Sequence, residues 1–280
     1  MRLPARPAHG LVLAAAAVAI VGLVPSTARE AVTARHAMAA RDAVAAWHAA
    51  AGREAVAPRA TPSSDPNRTA LLTTIDALDN TSHQVDMQTA YSQIQASIDP
   101  RSRTGTLTDR QGASEFDEIV ANHRVWVRVN IDPQTNAQLG IAPSTWMSLD
   151  MTKLPPPNEL PIPVDGSDPV DMPGILAGVT AVYRTSSDLF TGTIDLRKIT
   201  GHNRPNAGRV ARAGVTATEA PFSAVIDDRG RLTDFSINAD SFDPALNVHV
   251  WFHSYGVIMS LPVPSGSVPA PDAIYTILSG

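Results

Sequence analysis

Two histidines four residues apart, His249 and His253, are the side chains of this sequence that most invite a metal-binding interpretation. On a strand, residues four apart lie about 13 Å from each other at a rise of ~3.3 Å per residue. A zinc ion needs a bond of about 2.1 Å to each nitrogen, so this pair cannot share one ion. Strand alternation places both histidines on the face of Trp251. We therefore expect a packing or solvated role for them, and no bound metal.

Acidic and hydroxyl side chains occur together in two polar runs, Asp227-Asp228 and Ser186-Ser187-Asp188. Both runs fall between predicted strands, which favours turn chemistry over catalysis. The sequence lacks the G-x-S-x-G, S-x-x-K, H-E-x-x-H, Walker and G-x-G-x-x-G motifs of common hydrolases, metalloproteases and nucleotide-binding enzymes. We expect a protein that is not an enzyme and that needs no cofactor.

Residues 1–28 have the pattern of an export signal. Arg2 and Arg6 precede an apolar run at residues 11–24, which is shorter than the roughly 20 residues that cross a bilayer. Small residues precede a cleavage point after Ala28. The sequence thus predicts a protein that works outside the cytoplasm, in the cell envelope or secreted, with this segment either cleaved or kept as an anchor.

The charge is divided unevenly along the chain. Residues 29–65 are rich in alanine and arginine and are predicted to form a helical or disordered tether. The chain carries a net charge of −5, and nearly all of its negative excess lies beyond the tether, where Lys153 and Lys198 are the only lysines. An acidic body argues against nucleic acid as a partner. It also argues against adhesion to an anionic membrane, except through the N-terminal segment.

A single folded domain is predicted over residues 66–280. Asp65 or Asn67 can cap a helix whose apolar residues recur at helical spacing up to Asn80. A second helix is expected with Asp168 as its cap, after a proline-rich connection. Between and after the helices the apolar period changes to two, which predicts strands at 85–91, 104–108, 124–131, 147–151, 180–185, 189–196, 222–226, 232–237, 247–254 and 257–263.

This pattern indicates an α+β fold with many antiparallel strands and two helices. Strands with one apolar face must be covered, and two short helices cover only part of such a sheet. The sheet is therefore expected to curve strongly. It must either close on itself or leave an apolar cavity between sheet and helices.

The order of several sequence motifs resembles that of the LolA-like envelope proteins of the LppX/LprG lipoprotein type. The motifs are R-V-W-V-R-V at 124–129, W-M-S-L-D at 146–150, F-T-G-T-I-D at 190–195, P-F-S-A-V-I-D-D-R-G-R-L at 221–232 and S-Y-G-V at 254–257. The resemblance implies a half-barrel sheet over helices, with a cavity that carries the acyl chains of lipids or glycolipids. These lipoproteins have an anchoring cysteine after the signal, whereas this chain has no cysteine. The resemblance therefore does not imply lipid anchoring.

Two functions are expected from these observations. The first is a non-enzymatic binder or carrier of a hydrophobic molecule, with acyl chains of a lipid or glycolipid as the ligand. The alternative is a sensor or interaction module that docks a protein partner, suggested by Trp126 and Trp251 on the polar faces of their strands. For the carrier, the predicted lining is apolar and consists of Leu71, Leu78, Val85, Met87, Val127, Val129, Met147, Leu149, Met151, Leu176, Phe190, Ile194, Val250 and Phe252.

Overall fold

A computed structural model describes residues 65–154, 160–162, 168–201, 204–259, 261 and 263–279. The predicted signal segment and nearly all of the predicted tether lie outside these residues. The described part is α+β, with a large, strongly curved and unclosed sheet of twelve strands and few helices. Its helices are short: α1 Pro66–Thr73, α2 Ile75–Asn80, α3 Pro133–Leu139, α4 Met172–Leu176, α5 Ala207–Ala213 and α6 Asp272–Leu278.

The strands are mostly six to eight residues long, except for two strands of two residues each at one edge of the sheet. They are β1 His83–Thr89, β2 Gln93–Asp99, β3 Thr104–Gln111, β4 Ser114–Ala121, β5 Arg124–Asn130, β6 Met147–Ser148, β7 Val179–Arg184, β8 Leu189–Ile194, β9 Ala220–Ile226, β10 Leu232–Ile237, β11 Val248–His253 and β12 Val268–Pro269. The spatial order is β12-β6-β5-β4-β3-β2-β1-β11-β10-β9-β8-β7. Every pair is antiparallel except β12 with β6, so the sheet is mixed rather than purely antiparallel.

One face of the sheet carries the main hydrophobic core, and we call it the inner face. Alternation along each strand supplies it, as in β5, where Val125, Val127 and Val129 point inward and are at most 6% exposed. The same core includes residues of α1, α2, α4 and α6, which cover this face together with irregular segments. Short, separate pieces of chain therefore cover a long sheet.

The opposite, outer face is polar except for one small apolar cluster. Ile119, Ala121 and Trp126 are buried there, and Trp146 packs against them. The Arg128 guanidinium lies over the Trp146 ring, 5.2 Å from its centroid. The expectation that Trp126 is exposed on a wet face is therefore wrong, since this residue is only 5% exposed.

The helical predictions were correct in place but not in number. Asp65 caps the first helix as expected, its side chain accepting a hydrogen bond from the Asn67 N–H. The helix then breaks at Thr74, whose hydroxyl donates to the Leu71 carbonyl. Near residue 168 the cap of α4 is Asp171 rather than Asp168. The helices α3, α5 and α6 were not predicted. All three are only seven residues long; α3 and α5 have few apolar side chains to set a period, and α6 is apolar at most of its positions, so no helical period stands out.

The strand predictions were largely confirmed, with some errors. Strands β2 and β4, in the middle of the sheet, and the two-residue β12 at one edge were missed. The predicted strand 147–151 is a two-residue bridge followed by a 3-10 turn at Met151–Lys153, and residues 257–259 of the last predicted strand are irregular. Tyr91 lies in the turn after β1, not on that strand. Gly230 adopts φ 75° in the β9–β10 hairpin, as its position predicted.

Candidate ligand-binding face

Glu118 is the residue of the inner face whose chemistry does not match its surroundings. It lies in the middle of β4, opposite Leu107 of β3 and Val127 of β5, and has no exposed surface. Its Oε2 accepts a hydrogen bond from the Ile162 N–H at 3.0 Å. Its Oε1 is buried and makes no hydrogen bond. Burial raises the pKa of this carboxyl to about 8, so at neutral pH the protonated form predominates.

The segment at residues 160–162 crosses the inner face above β3 and β4, and we call it the strap. Leu160 and Ile162 are at most 1% exposed. A methyl group placed on Gly105 would lie 3.2 Å from Ile162 Cδ1, so the strap sits directly over this glycine of β3. The strap thus contacts the sheet through apolar side chains and through the bond to Glu118.

His83 is a second buried polar group, at the start of β1. Its Nδ1 lies 2.8 Å from the Thr81 carbonyl and therefore carries the proton, which leaves Nε2 as a buried acceptor without a partner. Its ring lies against those of Phe252 and Tyr255, with centroids 5.9 and 5.8 Å away. Burial lowers the pKa of His83, so the ring is neutral at pH 7.

Asp168 precedes α4 and organises the turn that leads into it. Its carboxylate accepts hydrogen bonds from the Val170 and Met172 N–H groups, both at 2.9 Å. Burial raises the pKa of Asp168 to about 6, although these two bonds act in the opposite direction. Because both oxygens have backbone partners, the role of Asp168 is structural.

The fourteen predicted lining residues all lie at the inner face or in its cover. Twelve are buried members of the main core, and Leu149 and Met151 are half-buried against it. Val127, Leu176, Ile194 and Val250 have no accessible surface at all. The structure therefore brings the set together as one apolar surface, with its members packed on protein atoms.

Polar side chains on the outer face form pairs across neighbouring strands. Asp86 contacts His253 at 2.9 Å and Asp234 contacts His249 at 2.8 Å, on either side of Trp251. Trp251 is half-buried, and the His249 ring lies 3.7 Å from its ring centroid. The packing or solvated role predicted for the histidines agrees with these contacts, whereas their carboxylate partners were not predicted.

The two polar runs form hairpin tips. The Asp227 carboxylate accepts hydrogen bonds from the Arg229 and Arg231 N–H groups and forms an ion pair with the Arg231 guanidinium. Ser186 donates to Asp188 at 2.6 Å in the neighbouring β7–β8 tip. An open pocket lies between the tips. Of its acidic groups, Asp188 and Asp227 hydrogen-bond within these turns, and Asp228 is exposed.

The sequence analysis did not identify Glu118 or the strap, and there are physical reasons for this. In β4 both faces mix acidic and apolar side chains: Phe116, Glu118 and Val120 alternate with Asp117 and Ile119. The period-two signal therefore cancels, and a buried carboxyl looks like an exposed one. The strap lies in a proline-rich stretch that carries no periodic signal. The sequence clue for Glu118 was its position between Phe116 and Val120 at alternate residues, and the strap gave no such clue.

Within the described ranges, no helix is long and apolar enough to cross a membrane. The same ranges contain no group of three or more histidine or acidic side chains placed to hold a metal ion. Comparison with known proteins finds no family model and no curated protein that matches this chain.

Proposed function

We propose that this protein binds a hydrophobic molecule, with the acyl chains of a lipid or glycolipid as the best candidates, and carries it outside the cytoplasm without chemical change. The observation that carries this proposal is the cover of the inner face. A continuous apolar surface on a strongly curved, unclosed sheet is covered by helices of five to eight residues and by irregular chain. Such separate pieces can part without disrupting the hydrogen bonds of the sheet.

Binding then exchanges one apolar contact for another. The inner-face side chains are buried by the strap and the other covering residues of the described chain, and the proposed ligand would take the place of those covering residues. A hydrocarbon chain that replaces them gains about 0.8 kcal/mol for each methylene it buries. The binding therefore needs few polar contacts, as is usual for apolar sites. The order of the sequence motifs, which resembles that of LolA-like carriers, supports the same function.

The first test asks whether a lipid co-purifies with the protein from its native host. Native mass spectrometry of the full chain, purified without detergent, is expected to show a co-purifying lipid. Uptake of the apolar fluorophore N-phenyl-1-naphthylamine is expected for the full chain. Uptake should fall in Val127→Trp, on the inner face, and persist in Gln95→Trp, on the exposed outer side of β2. Both variants keep the apolar residues 11–24, so binding to that segment cannot imitate the expected difference.

A docking module is the second candidate, and the observation in its favour is the loop after β11. Ile258 is 96% exposed and Val257 is 50% exposed, next to Ser82, whose hydroxyl donates to the Val257 carbonyl. The tryptophan argument for this function is weaker than the sequence suggested, because Trp126 is buried. A photo-crosslinking residue at position 258, used in the native host, separates the two candidates. One discrete protein adduct favours docking, and lipid adducts favour the carrier.

A further inference from the structure

The buried acids of this protein differ in what neutralises them. Asp117, Asp195 and Asp234 are each at most 6% exposed, and each has a basic partner: Arg128 at 2.8 Å, Arg197 at 2.9 Å and His249 at 2.8 Å. Glu118 is the fourth buried acid of the described chain and the most deeply buried. It has no cationic partner among the described residues, and one of its oxygens has no hydrogen bond. A buried polar atom without a partner is rare in native proteins and calls for an explanation.

The fold does not explain this carboxyl. The cross-strand neighbours of Glu118, Leu107 and Val127, are apolar, and so are Phe116 and Val120 on the same side of β4. A leucine at position 118 would fit the pattern of the inner face and would bury no unpaired oxygen. Three other buried side-chain atoms of the described residues lack partners, on His83, Asp234 and Trp251. Asp234 has its histidine, and the rings of His83 and Trp251 pack against other rings. Glu118 is therefore the buried group whose desolvation cost is not offset by its neighbours in the fold.

The two oxygens of Glu118 differ in their partners. Oε2 accepts the hydrogen bond of the strap, from the Ile162 N–H, whereas Oε1 is buried without a hydrogen bond on a carboxyl whose cross-strand neighbours are apolar. When the strap separates from the sheet, the carboxyl becomes the polar group at the centre of an apolar wall. A site of this kind binds a chain through its apolar area and fixes its position through a single polar contact.

We propose that Glu118 positions the ligand by hydrogen bonding to a hydroxyl group on an otherwise hydrophobic molecule. This inference rests on the proposed function and specifies the class of its ligand. A hydroxyl can accept a hydrogen bond from the carboxylic acid and can donate one to the carboxylate, so it satisfies Oε1 in either form. An ammonium group would need a buried ion pair in an apolar layer, where desolvation of both charges offsets the attraction. A neutral hydroxyl avoids that cost.

The test compares two displacing ligands with equal numbers of heavy atoms, 1-dodecanol and tridecane. Each displaces N-phenyl-1-naphthylamine from the full chain and from Glu118→Leu and Glu118→Gln. Glu118→Leu is expected to bind the alcohol about 5-fold less tightly than the parent and the alkane equally well, since a net hydrogen bond contributes ~1 kcal/mol. Glu118→Gln keeps a donor and an acceptor and should retain the preference. Comparing variants cancels the different solubilities of the two ligands.

Each outcome decides one of the two proposals. No fluorophore uptake by the folded parent overturns the proposed function, and this inference with it. Uptake in which Glu118→Leu leaves the alcohol-to-alkane ratio unchanged overturns the inference alone. Stronger displacement by dodecylamine than by dodecanol, abolished in Glu118→Gln, would overturn the assignment of a neutral hydroxyl. Thermal unfolding of both variants confirms that they fold. Glu118→Leu removes the unpaired Oε1 but also leaves the buried Ile162 N–H without its acceptor, so its melting temperature should lie close to that of the parent.

Discussion

Asp117 and Glu118 are neighbours in β4, and they show how differently the two faces of one strand treat an acidic side chain. Asp117 points outward, where Thr108 donates to it at 2.7 Å and Arg128 forms an ion pair with it at 2.8 Å. Glu118 points inward, where it has one backbone partner and an unpaired oxygen. Both are nearly inaccessible to water. Burial alone therefore does not determine whether a carboxyl is paired. The side chains available on its face of the sheet determine this.

The comparison also separates structural from functional polarity. Around Arg128 the outer face pairs its charges within the sheet, through a network in which Arg128 contacts both Asp117 and Glu115. Such a network stabilises strand pairing, and its charged groups are paired with one another rather than available to a ligand. The inner face contains Glu118, whose carboxyl has unfilled hydrogen-bonding capacity, and we have proposed that this carboxyl contacts a ligand. The predictions below test this difference.

The largest expected effect is on the pH dependence of stability. The unfolded Glu118 carboxyl titrates near 4.5 and the folded one near 8, so the folded state binds more protons between these values. The free energy of unfolding should therefore fall as pH rises from about 5 to 8, by a few kcal/mol at about 1.4 kcal/mol per pKa unit. Glu118→Gln should lose this decline. Denaturant unfolding at several pH values measures the difference between parent and variant.

The same measurement on Asp117→Asn is the matched control. Asp168 contributes to the decline with the same sign and His83 with the opposite sign, but both remain in each protein and cancel in the comparison. The outer-face variant should follow the pH profile of the parent between pH 5 and 8. If Glu118→Gln also follows it, the inner carboxyl is not protonated in the folded protein.

The second prediction concerns the space around Glu118. Val127→Trp adds volume at a position with no accessible surface, directly across from Glu118. Overpacking should lower the free energy of unfolding by about 1 to 3 kcal/mol. Gln95→Trp, on the exposed outer side of β2, should change it by no more than about 0.5 kcal/mol. Equal stability of the two variants would indicate empty space at the inner face.

The third prediction concerns the outer carboxyl, Asp117. Asp117→Asn removes the charge that faces Arg128, a side chain that is 34% exposed. The loss of stability should be about 0.5 to 1.5 kcal/mol, because water and Glu115 continue to solvate the guanidinium. The loss should shrink in high salt. A larger loss that does not depend on salt would mean that the outer network is as isolated from solvent as the inner face.

The smallest expected effect is on the strap. Gly105→Ala places a methyl group 2.7 Å from Ile98 Cδ1 and 3.2 Å from Ile162 Cδ1, and both are ends of flexible side chains. Replacing a strand glycine offsets part of this cost, so stability should change by less than about 1 kcal/mol. Fluorophore uptake should become faster, because the strap is pushed from the sheet. Stopped-flow fluorescence measures the rate, and an unchanged rate would show that the strap does not limit entry.

Periodic segments were predictable from the sequence because their alternation is strong and local. The strand at 124–130 has three valines on one side, and the assignment of its apolar side to the core follows directly from period two. The 232–237 strand and the turn at Gly230 follow from equally local rules. The apolar lining set was identified in the same way. All of its members lie at the inner face or in its cover, although whether they contact a ligand stays a prediction.

The sequence by itself determined which residues alternate, where turns form, and that one apolar face would need a cover. Tertiary structure decided the rest, because it depends on which strands become neighbours. The outer face of β5 carries Trp126 and Arg128, and only the pairing with β4 reveals that the first is buried and the second meets Asp117. Glu118 is isolated because Leu107 and Val127 flank it in space, 11 and 9 residues away in the chain. Local patterns predict on which face of a strand a side chain lies. The order of the strands in the sheet determines its neighbours, and these neighbours decide whether a buried carboxyl has partners.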